Sequence, residues 1–280
     1  MQTDSDSTRD VAVARDAATV LLLRDGGDGF EVFMVKRSGL SDVLGEAHVF
    51  PGGKIDAADS APAMLGRIAG LAALDVAALG ESVPRERAAG MFVAAARETF
   101  EEAGVLLAQG VAGDLAAARA RLNAKEPLAD VLASLGALLD AAALVPWARW
   151  VTPAAVPKRF DARFFLAVAP PEQAARHDDY EATHSEWLSP RAALARYREG
   201  AIKLAPPTYM SLHHLSLFAD LGAVIADARS RRPPVLQPVA FHEDGVRHIA
   251  LPGDARHPVR EQAIPGPTRL VWDGQKYLPA

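Results

Sequence analysis

Three glutamates in one short segment have the residue type and the spacing of a metal-binding site. Glu98, Glu101 and Glu102 stand at positions i, i+3 and i+4, so a helix would place them on one face. Crowded carboxylates repel each other unless cations neutralise them, and hard oxygen ligands select Mg²⁺ or Mn²⁺ over softer metals. Divalent ions held in this way activate water and polarise phosphoryl oxygens. The segment therefore predicts metal-assisted phosphate chemistry, with Arg97 placed to orient a carboxylate.

The same carboxylates would also suit a solvated acidic helix face, which is common in proteins. The surrounding sequence favours a site instead. Gly104 ends a helix predicted over residues 89–103, and an apolar strand follows it. Earlier in the chain, a strand leads into the turn Pro51-Gly52-Gly53. A Gly-Gly turn lets backbone groups approach a metal ion or a phosphate closely.

The composition of the chain limits the classes of function. Its 280 residues, half of them hydrophobic, suffice for one large domain or one domain with extensions. A net charge of −5 gives no general attraction to nucleic acid or to anionic membranes, and the lack of cysteine excludes disulfides and thiolate chemistry. No apolar run reaches the ~20 residues that span a bilayer. We therefore expect a cytoplasmic protein that binds neither nucleic acid nor membranes.

Strand and helix signals follow each other without regular βαβ alternation, which favours an α+β fold. Apolar runs flanking an Asp-Gly-rich turn predict a first hairpin. Ala- and Leu-rich stretches predict helical insertions over about 60–88 and 113–143. We expect a flexible leader over residues 1–16, a central domain over 17–232 and a C-terminal β extension over 233–280. Further predicted elements are strands at 147–152, 164–169 and 186–188 and helices at 190–198 and 208–229.

The region around these glutamates resembles the Nudix box, Gly-x5-Glu-x7-Arg-Glu-U-x-Glu-Glu-x-Gly-U, in which U is a bulky aliphatic residue. Gly53 matches the first glycine, and the second half matches in register at Arg97, Glu98, Glu101, Glu102, Gly104 and Val105. The chain departs from the pattern in three ways. Asp59 stands in place of the first Glu, and Thr99 occupies a U position. Gly53 and Arg97 are 44 positions apart instead of 14, an insertion of 30 residues that can be looped out.

This resemblance implies an α/β/α sandwich with a mixed central sheet and hydrolysis of a nucleoside diphosphate linked to a further group. It implies that Glu98 and Glu102 are the main ligands of Mg²⁺ or Mn²⁺ and that Glu101 is a further ligand. The carbonyl of Gly53 would complete the metal site, with Arg97 holding Glu98. A further acid on a later loop commonly assists the water in such enzymes. Glu181 is our first candidate and Glu186 the second, although both also suit ordinary loop charges.

A second resemblance concerns the substrate. Arg37-Ser38 and Phe50-Pro51-Gly52-Gly53 match the motif of coenzyme A diphosphatases with the correct separation, whereas Asp42 and Glu46 depart from it. The basic stretch over 158–163 offers arginines for phosphate and an aromatic ring that could stack on a base. Surface positions at strand ends are the alternative for each of these residues. The candidate substrate-binding residues are Arg37, Phe50, Arg159, Phe160 and Arg163.

The resemblance makes coenzyme A or an acyl derivative the leading substrate and a small nucleotide-derived molecule the expected partner. A hydrolase of ADP-ribose, nucleotide sugars or dinucleotides is the second hypothesis. A third is a non-catalytic Nudix-like binding module, but such modules lose the glutamates that this chain retains. The family resemblance also suggests a homodimer. Loop histidines such as His177 and His184 could join the site or lie on the surface.

Overall fold

A mixed β-sheet forms the centre of the protein in the computed structural model. The structure describes residues 12–27, 29–38, 45–178 and 182–280. Its strands are β1 (Arg15–Gly26), β2 (Gly29–Arg37), β3 (Ala47–Val49), β4 (Gly52–Lys54), β5 (Ala108–Gln109), β6 (Leu138–Leu139), β7 (Val145–Val151), β8 (Phe160–Val168), β9 (Ala182–Leu188), β10 (Lys203–Leu204), β11 (Val235–Leu236), β12 (Val239–Glu243), β13 (Val246–Ala250), β14 (Arg269–Trp272) and β15 (Tyr277–Pro279). Its helices are α1 (Pro62–Leu65), α2 (Arg85–Ala103), α3 (Leu115–Asn123), α4 (Leu128–Ser134), α5 (Pro190–Arg198), α6 (Pro206–Leu215) and α7 (Leu221–Ser230).

Strand β1 organises the central sheet. It runs parallel to β8 on one side, and on the other it pairs antiparallel first with β4 and then with β2. The path through the sheet is β10-β3-β2-β1-β8-β7-β11, with β9 added to β2. The four residues from Val20 to Leu23 are fully buried, because helices cover both faces of this strand. The predicted mixed sheet is confirmed.

Two hydrophobic cores lie on opposite faces of the sheet. Val20 and Leu22 point toward α2 and the two insertions, whereas Leu21 points toward α5, α6 and α7. This alternation follows from the two-residue period of a strand. The resulting α/β/α sandwich confirms the fold class expected from the sequence.

The insertion within the Nudix box differs from the expected helices. Between residues 57 and 84 it contains only α1 and short 3₁₀ turns. Gly70 and Gly80 adopt left-handed conformations with φ of 59° and 71°, and they break the Ala- and Leu-rich sequence into single turns. The second insertion forms α3, α4 and the β5–β6 pair. The helix predicted over 208–229 is two helices, because the Asp220 side chain caps a new start by accepting from the amide of Ala223.

Strands β12 to β15 form a second, antiparallel sheet at the end of the described chain, in agreement with the expected β segments. The Tyr197 hydroxyl of α5 donates to the carbonyl of Tyr277 at 2.8 Å and accepts from its amide at 2.9 Å. Val235–Leu236, by contrast, pairs with β7 of the central sheet. At the other end, β1 begins at Arg15, inside the stretch predicted as leader. Among the described residues no helix has the length and apolarity to cross a membrane.

Candidate active site

Helix α2 carries the three predicted glutamates on its one partly exposed face. On its other faces Val93, Ala96, Phe100 and Ala103 are fully buried against the sheet. Thr99 is also fully buried, and its hydroxyl donates to the carbonyl of Ala95 at 2.8 Å. A threonine therefore fits the aliphatic position of the motif, because its polar atom is satisfied within the helix.

Arg97 is the centre of the site. Its Nη1 donates to Glu98 Oε1 at 2.7 Å and to Glu101 Oε1 at 3.1 Å. Its Nε and Nη2 donate to the two carboxylate oxygens of Asp59 at 2.9 and 3.1 Å, and Nη2 also donates to the carbonyl of Lys54 at 2.8 Å. These five contacts match the five N–H donors of a guanidinium group. Arg97 thus gathers two glutamates of the box and anchors them to the loop after β4.

Asp59 is a site residue that the sequence analysis did not assign. Its side chain is only 2% exposed. It forms a bidentate ion pair with Arg97, with two parallel N–H···O hydrogen bonds, which is a strong geometry for an arginine–carboxylate pair. The amide of Asp56 also donates to Asp59 Oδ2 at 2.8 Å, which fixes the carboxylate in place. The position was visible in the sequence, since Asp59 stands where the Nudix pattern has its first Glu. The 3₁₀ turn Ala57–Ser60, which carries Asp59, packs against α2, where Ser60 lies next to Gly90.

The glycine turn lies directly against the glutamates. A Cβ atom built on Gly53 would come within 2.5–2.6 Å of both carboxylate oxygens of Glu98, so any side chain there would displace that carboxylate. The amide of Gly52 donates to Glu102 Oε2 at 3.0 Å. Pairing of β4 with β1 and a hydrogen bond from the amide of Val20 to the carbonyl of Pro51, at 2.8 Å, hold this turn. The turn and the helix face therefore meet, as the motif predicted.

The buried charges perturb each other. Burial raises the pKa of Glu98 to about 7, although the adjacent Arg97 opposes this shift. Burial alone would lower the pKa of Arg97, but its hydrogen bonds to Asp59 and the charges of Glu98 and Glu101 raise it above the usual value. The cluster thus holds one permanent cation among several acids, which is an electrostatic setting that attracts a further cation.

The residue types at this site fit a divalent ion of the Mg²⁺ class. Glu98, Glu101, Glu102 and the carbonyl of Gly53 are all hard oxygen donors, and none is a soft ligand. In the part of the chain that the structure describes, no three acidic or histidine side chains already form a closed metal cage. The reason is that Arg97 draws Glu98 and Glu101 to itself, while Glu102 accepts from the glycine turn.

The structure places the two candidate bases differently. Glu181, the first candidate, lies outside the described residues. Glu186 is on β9 opposite Met34, on the sheet face away from α2. It accepts from Arg196 Nη1 at 2.5 Å and lies 3.4 Å from Nε2 of the buried His48. Glu186 is therefore not brought to the glutamate cluster.

The predicted histidines also have distinct positions. His177 lies on the loop before β9, and its Nδ1 is 2.8 Å from the hydroxyl of Ser185. The preceding residue, Arg176, donates its amide to the carbonyl of Ala103 at the end of α2. This loop is therefore attached to the helix that carries the glutamates. The side chain of His184, in contrast, is 57% exposed and lies on the face of β9 that points away from α2.

Arg163 has a structural role instead of the predicted contact with substrate. It is 4% exposed, and its Nε and Nη2 donate to the carboxylate of Glu81 at 2.8 and 2.6 Å. Its Nη1 donates to Asp16 Oδ1 at 2.6 Å and to the carbonyl of Asp161 at 2.8 Å. Four of its five N–H groups are thus bonded, and Nη2 also lies 3.4 Å from Asp161 Oδ2, so the guanidinium is surrounded by acids of the protein. Arg163 instead ties the insertion within the box to strands β1 and β8.

Phe50 is likewise corrected from a substrate contact to a core residue. It is 4% exposed and packs on the sheet face that α5 and α6 cover, away from the glutamates. Arg37, Arg159 and Phe160 are half-buried. Arg37 ends β2, and Phe160 pairs with Arg15 at the beginning of β1. These three residues stay candidates for the substrate pocket.

The family comparisons agree with this geometry. The family model described as NUDT19 Nudix domain matches residues 14–215. The acyl-coenzyme A diphosphatase NUDT19 of Gallus gallus is 31% identical over 266 residues, a match that covers 74% of this chain and 69% of that protein. The Homo sapiens protein of the same name is 29% identical, with 81% and 72% covered. A crystal structure of a NUDIX hydrolase from Alicyclobacillus acidocaldarius has a TM-score of 0.65 at 28% identity, and the match covers 76% of this chain and 96% of that chain. This chain therefore belongs to the Nudix hydrolases, in the group described by the NUDT19 Nudix domain.

Proposed function

We propose that this protein hydrolyses the diphosphate linkage of coenzyme A or an acyl-coenzyme A with Mg²⁺ or Mn²⁺. The products would be a phosphopantetheine and adenosine 3′,5′-bisphosphate. The observation that carries the proposal is the meeting of Arg97, three glutamates and Gly53 at one point. The substrate class is supported by the names of the relatives, which are acyl-coenzyme A diphosphatases.

Nudix hydrolases generally use divalent metal ions, and we assign the ligands here to Glu98, Glu101, Glu102 and the carbonyl of Gly53. When bound, the ion would supply Lewis-acid chemistry at a phosphoryl oxygen and make a nearby water more acidic. The chain itself contributes orientation. Arg97 fixes Glu98 from one side, and the absence of a Cβ on Gly53 lets the turn close over that carboxylate from the other.

We assign the general base to Glu181. Support comes from the described residues around it: the amide of Arg176 bonds the end of α2, and Ala182 packs in the core on the α2 side of the sheet. Glu186, by contrast, is held by Arg196 on the opposite face. Glu181→Gln should therefore lower kcat by about 10²–10⁴-fold, the usual contribution of a general base. Glu186→Gln serves as the matched control and should leave kcat nearly unchanged.

Recognition of the nucleotide part is assigned to Arg37, Arg159 and Phe160. Arginines bind phosphates with two parallel hydrogen bonds, and an aromatic ring can stack on a base. Arg159 Nη1 donates to the carbonyl of Ala12, so this assignment requires the contact to be exchanged for substrate. Homodimerisation, a cytoplasmic location, and the division into a domain over 17–232 and an extension from 233 remain predictions.

A substrate panel tests the proposal. Coenzyme A, acetyl-coenzyme A, ADP-ribose and a dinucleoside polyphosphate are supplied at equal concentration with Mg²⁺ or Mn²⁺, and products are identified by mass spectrometry. We expect the highest kcat/KM for coenzyme A or its acyl derivative. Much faster turnover of ADP-ribose would reject coenzyme A as the substrate and leave the hydrolase assignment intact. Absence of turnover with every compound would reject the hydrolase as well.

A further inference from the structure

The glutamate cluster needs a cation that can reach the substrate. A diphosphate is an anion, and acidic side chains repel it unless positive groups intervene. Arg97 cannot serve, because its five donors are already bonded to Asp59, Glu98, Glu101 and the carbonyl of Lys54. The metal ion would neutralise part of the charge. A direct contact to substrate must come from another residue.

Lys125 is in the position to make that contact. It lies between α3 and α4, in the second insertion, and its Nζ is 3.7 Å from Glu101 Oε2. The side chain of Lys125 is 84% exposed, whereas that of Glu101 is 16% exposed. The ammonium group therefore lies on the solvent side of the cluster, where an entering diphosphate would pass.

The backbone at Lys125 is in a conformation that favours glycine. Its φ is +68°, in the left-handed region that side chains other than those of Asn and Asp seldom adopt. The amide of Lys125 bonds the carbonyl of Leu122 at 2.8 Å, and the amide of Glu126 bonds the carbonyl of Arg121 at 3.1 Å. These two bonds define a Schellman motif, in which glycine is the usual residue at this position. A lysine at this position carries an energetic cost, which points to a role for its side chain.

The turn that carries Lys125 is fixed relative to the glutamates. Arg121 pairs with Glu126 through both oxygens, with Nε donating at 2.8 Å, and its Nη1 donates to the hydroxyl of Ser134 on α4 at 2.6 Å. Arg119 on α3 donates through Nε to the carbonyl of Glu101 at 2.9 Å. The second insertion is thus attached to α2 at the very residue that Lys125 faces.

We infer that Lys125 binds a non-bridging oxygen of the substrate diphosphate through its ammonium group, and that the second insertion serves to present it. This role rests on the proposed function, because it requires that the Glu98–Glu102 cluster receive a diphosphate. In the protein without substrate, the same ammonium is a counter-ion of Glu101. On binding, Lys125 exchanges this carboxylate for the phosphate oxygen.

The inference predicts opposite changes in two affinities. Removing the positive charge strengthens the field that attracts a divalent cation, so the Kd for Mn²⁺ should fall by about two- to fivefold. The same change removes a contact to the anion, so the Kd for pyrophosphate should rise by about three- to tenfold. A residue that merely stabilised the turn would shift both affinities in one direction or neither.

The test compares three variants by isothermal titration calorimetry, with Mn²⁺ alone and then with inorganic pyrophosphate in the presence of Ca²⁺. Lys125→Gly removes the charge and relaxes the backbone, and Lys125→Arg keeps the charge. The matched control is Asp244→Gly, which relaxes another left-handed residue, with φ of 51°, in the turn between β12 and β13. Lys125→Gly should raise the melting temperature because it relieves left-handed strain, whereas Asp244→Gly should change it less because aspartate tolerates this conformation.

We expect the opposite shifts in Lys125→Gly alone, with Lys125→Arg and Asp244→Gly close to the unsubstituted protein. Unchanged pyrophosphate affinity in Lys125→Gly would overturn the inference, as would failure of the unsubstituted protein to bind pyrophosphate. The outcome is independent of the substrate panel, because pyrophosphate carries no nucleotide. A protein that prefers ADP-ribose to coenzyme A can still show the Lys125 effect.

Discussion

Asp59 and Arg97 are 38 residues apart in the chain, yet the aspartate receives two hydrogen bonds from the guanidinium in the protein interior. This pair joins the first half of the interrupted Nudix box to the second. It explains how 30 additional residues are accommodated, because the insertion begins and ends at points that are fixed to each other. The pair at Glu81 and Arg163 fastens the far part of the insertion to the sheet in the same way.

The first prediction concerns this pair. Asp59→Asn removes the charge that compensates the buried Arg97 and should lower the free energy of unfolding by about 3 kcal/mol. The loss of order around Glu98 should also reduce kcat. Asp56→Asn is the matched control, because Asp56 is 3.8 Å from Arg97 and its side chain is 68% exposed. Urea unfolding checks both variants, and equal stabilities of the two would show that the buried pair has no special role.

The second prediction concerns the glycine turn. Gly53→Ala forces the turn and the carboxylate of Glu98 apart, because the added methyl group would otherwise lie 2.5 Å from an oxygen. A displacement of about 1 Å at a catalytic group typically costs about 100-fold in rate, so we expect a loss in kcat of that order. Gly27→Ala is the control, since no atom lies within 4 Å of its added Cβ. Steady-state kinetics measure kcat for both variants. Full activity of Gly53→Ala would contradict a functional role for the close approach of Gly53 to the Glu98 carboxylate.

The third prediction concerns pH and stability. Burial lowers the pKa of His214 to about 4, and its ring lies 4.5 Å from that of Trp147. The folded protein therefore keeps this imidazole neutral, whereas the unfolded chain takes up a proton near pH 6.5. The free energy of unfolding should decrease as the pH falls below about 6.5, by about 2 kcal/mol between pH 7.5 and pH 5 from this group. Urea unfolding at the two pH values measures the change.

Two variants isolate the contribution of His214. His214→Phe keeps an aromatic ring between Trp147 and Phe218 but cannot bind a proton, so the contribution of this group should disappear. A smaller dependence of the same sign should stay, because burial also lowers the pKa of His48 and of His213. His242→Asn removes an exposed histidine and should leave the dependence unchanged. A His214→Phe protein with the full dependence would assign the effect to other groups.

The parts of the fold that the sequence predicted are those with strong local signals. Helix α2 has a clear apolar face and a glycine stop at Gly104, and the first hairpin has an Asp-Gly-rich turn between two apolar runs. The helices predicted for the insertion over 60–88 are mostly absent. Its Ala and Leu content favours helix, but Gly70 and Gly80 interrupt the segment. Local propensity alone does not reveal how often such a segment turns.

The site was predictable where a motif fixes the register and unpredictable where long-range pairing decides. Glu98 and Gly53 meet because the motif encodes both of them. The role of Arg163 depends on its pairing with Glu81, which is 82 positions away and carries no sequence signal. The position of Lys125 was not predictable from the sequence for a similar reason, since its left-handed backbone and its approach to Glu101 are visible only in three dimensions.

The most direct measurement of the central claim is turnover of coenzyme A by Glu98→Gln and Glu86→Gln proteins with Mg²⁺. Both substitutions lie on α2, but Glu86 is exposed in its first turn, far from the glycine turn. We expect Glu98→Gln to retain less than about 1% of kcat, because it loses a carboxylate that we assign to the divalent ion. Glu86→Gln should retain full activity. Substantial hydrolysis by a folded Glu98→Gln protein would contradict the assignment of this cluster as the catalytic site.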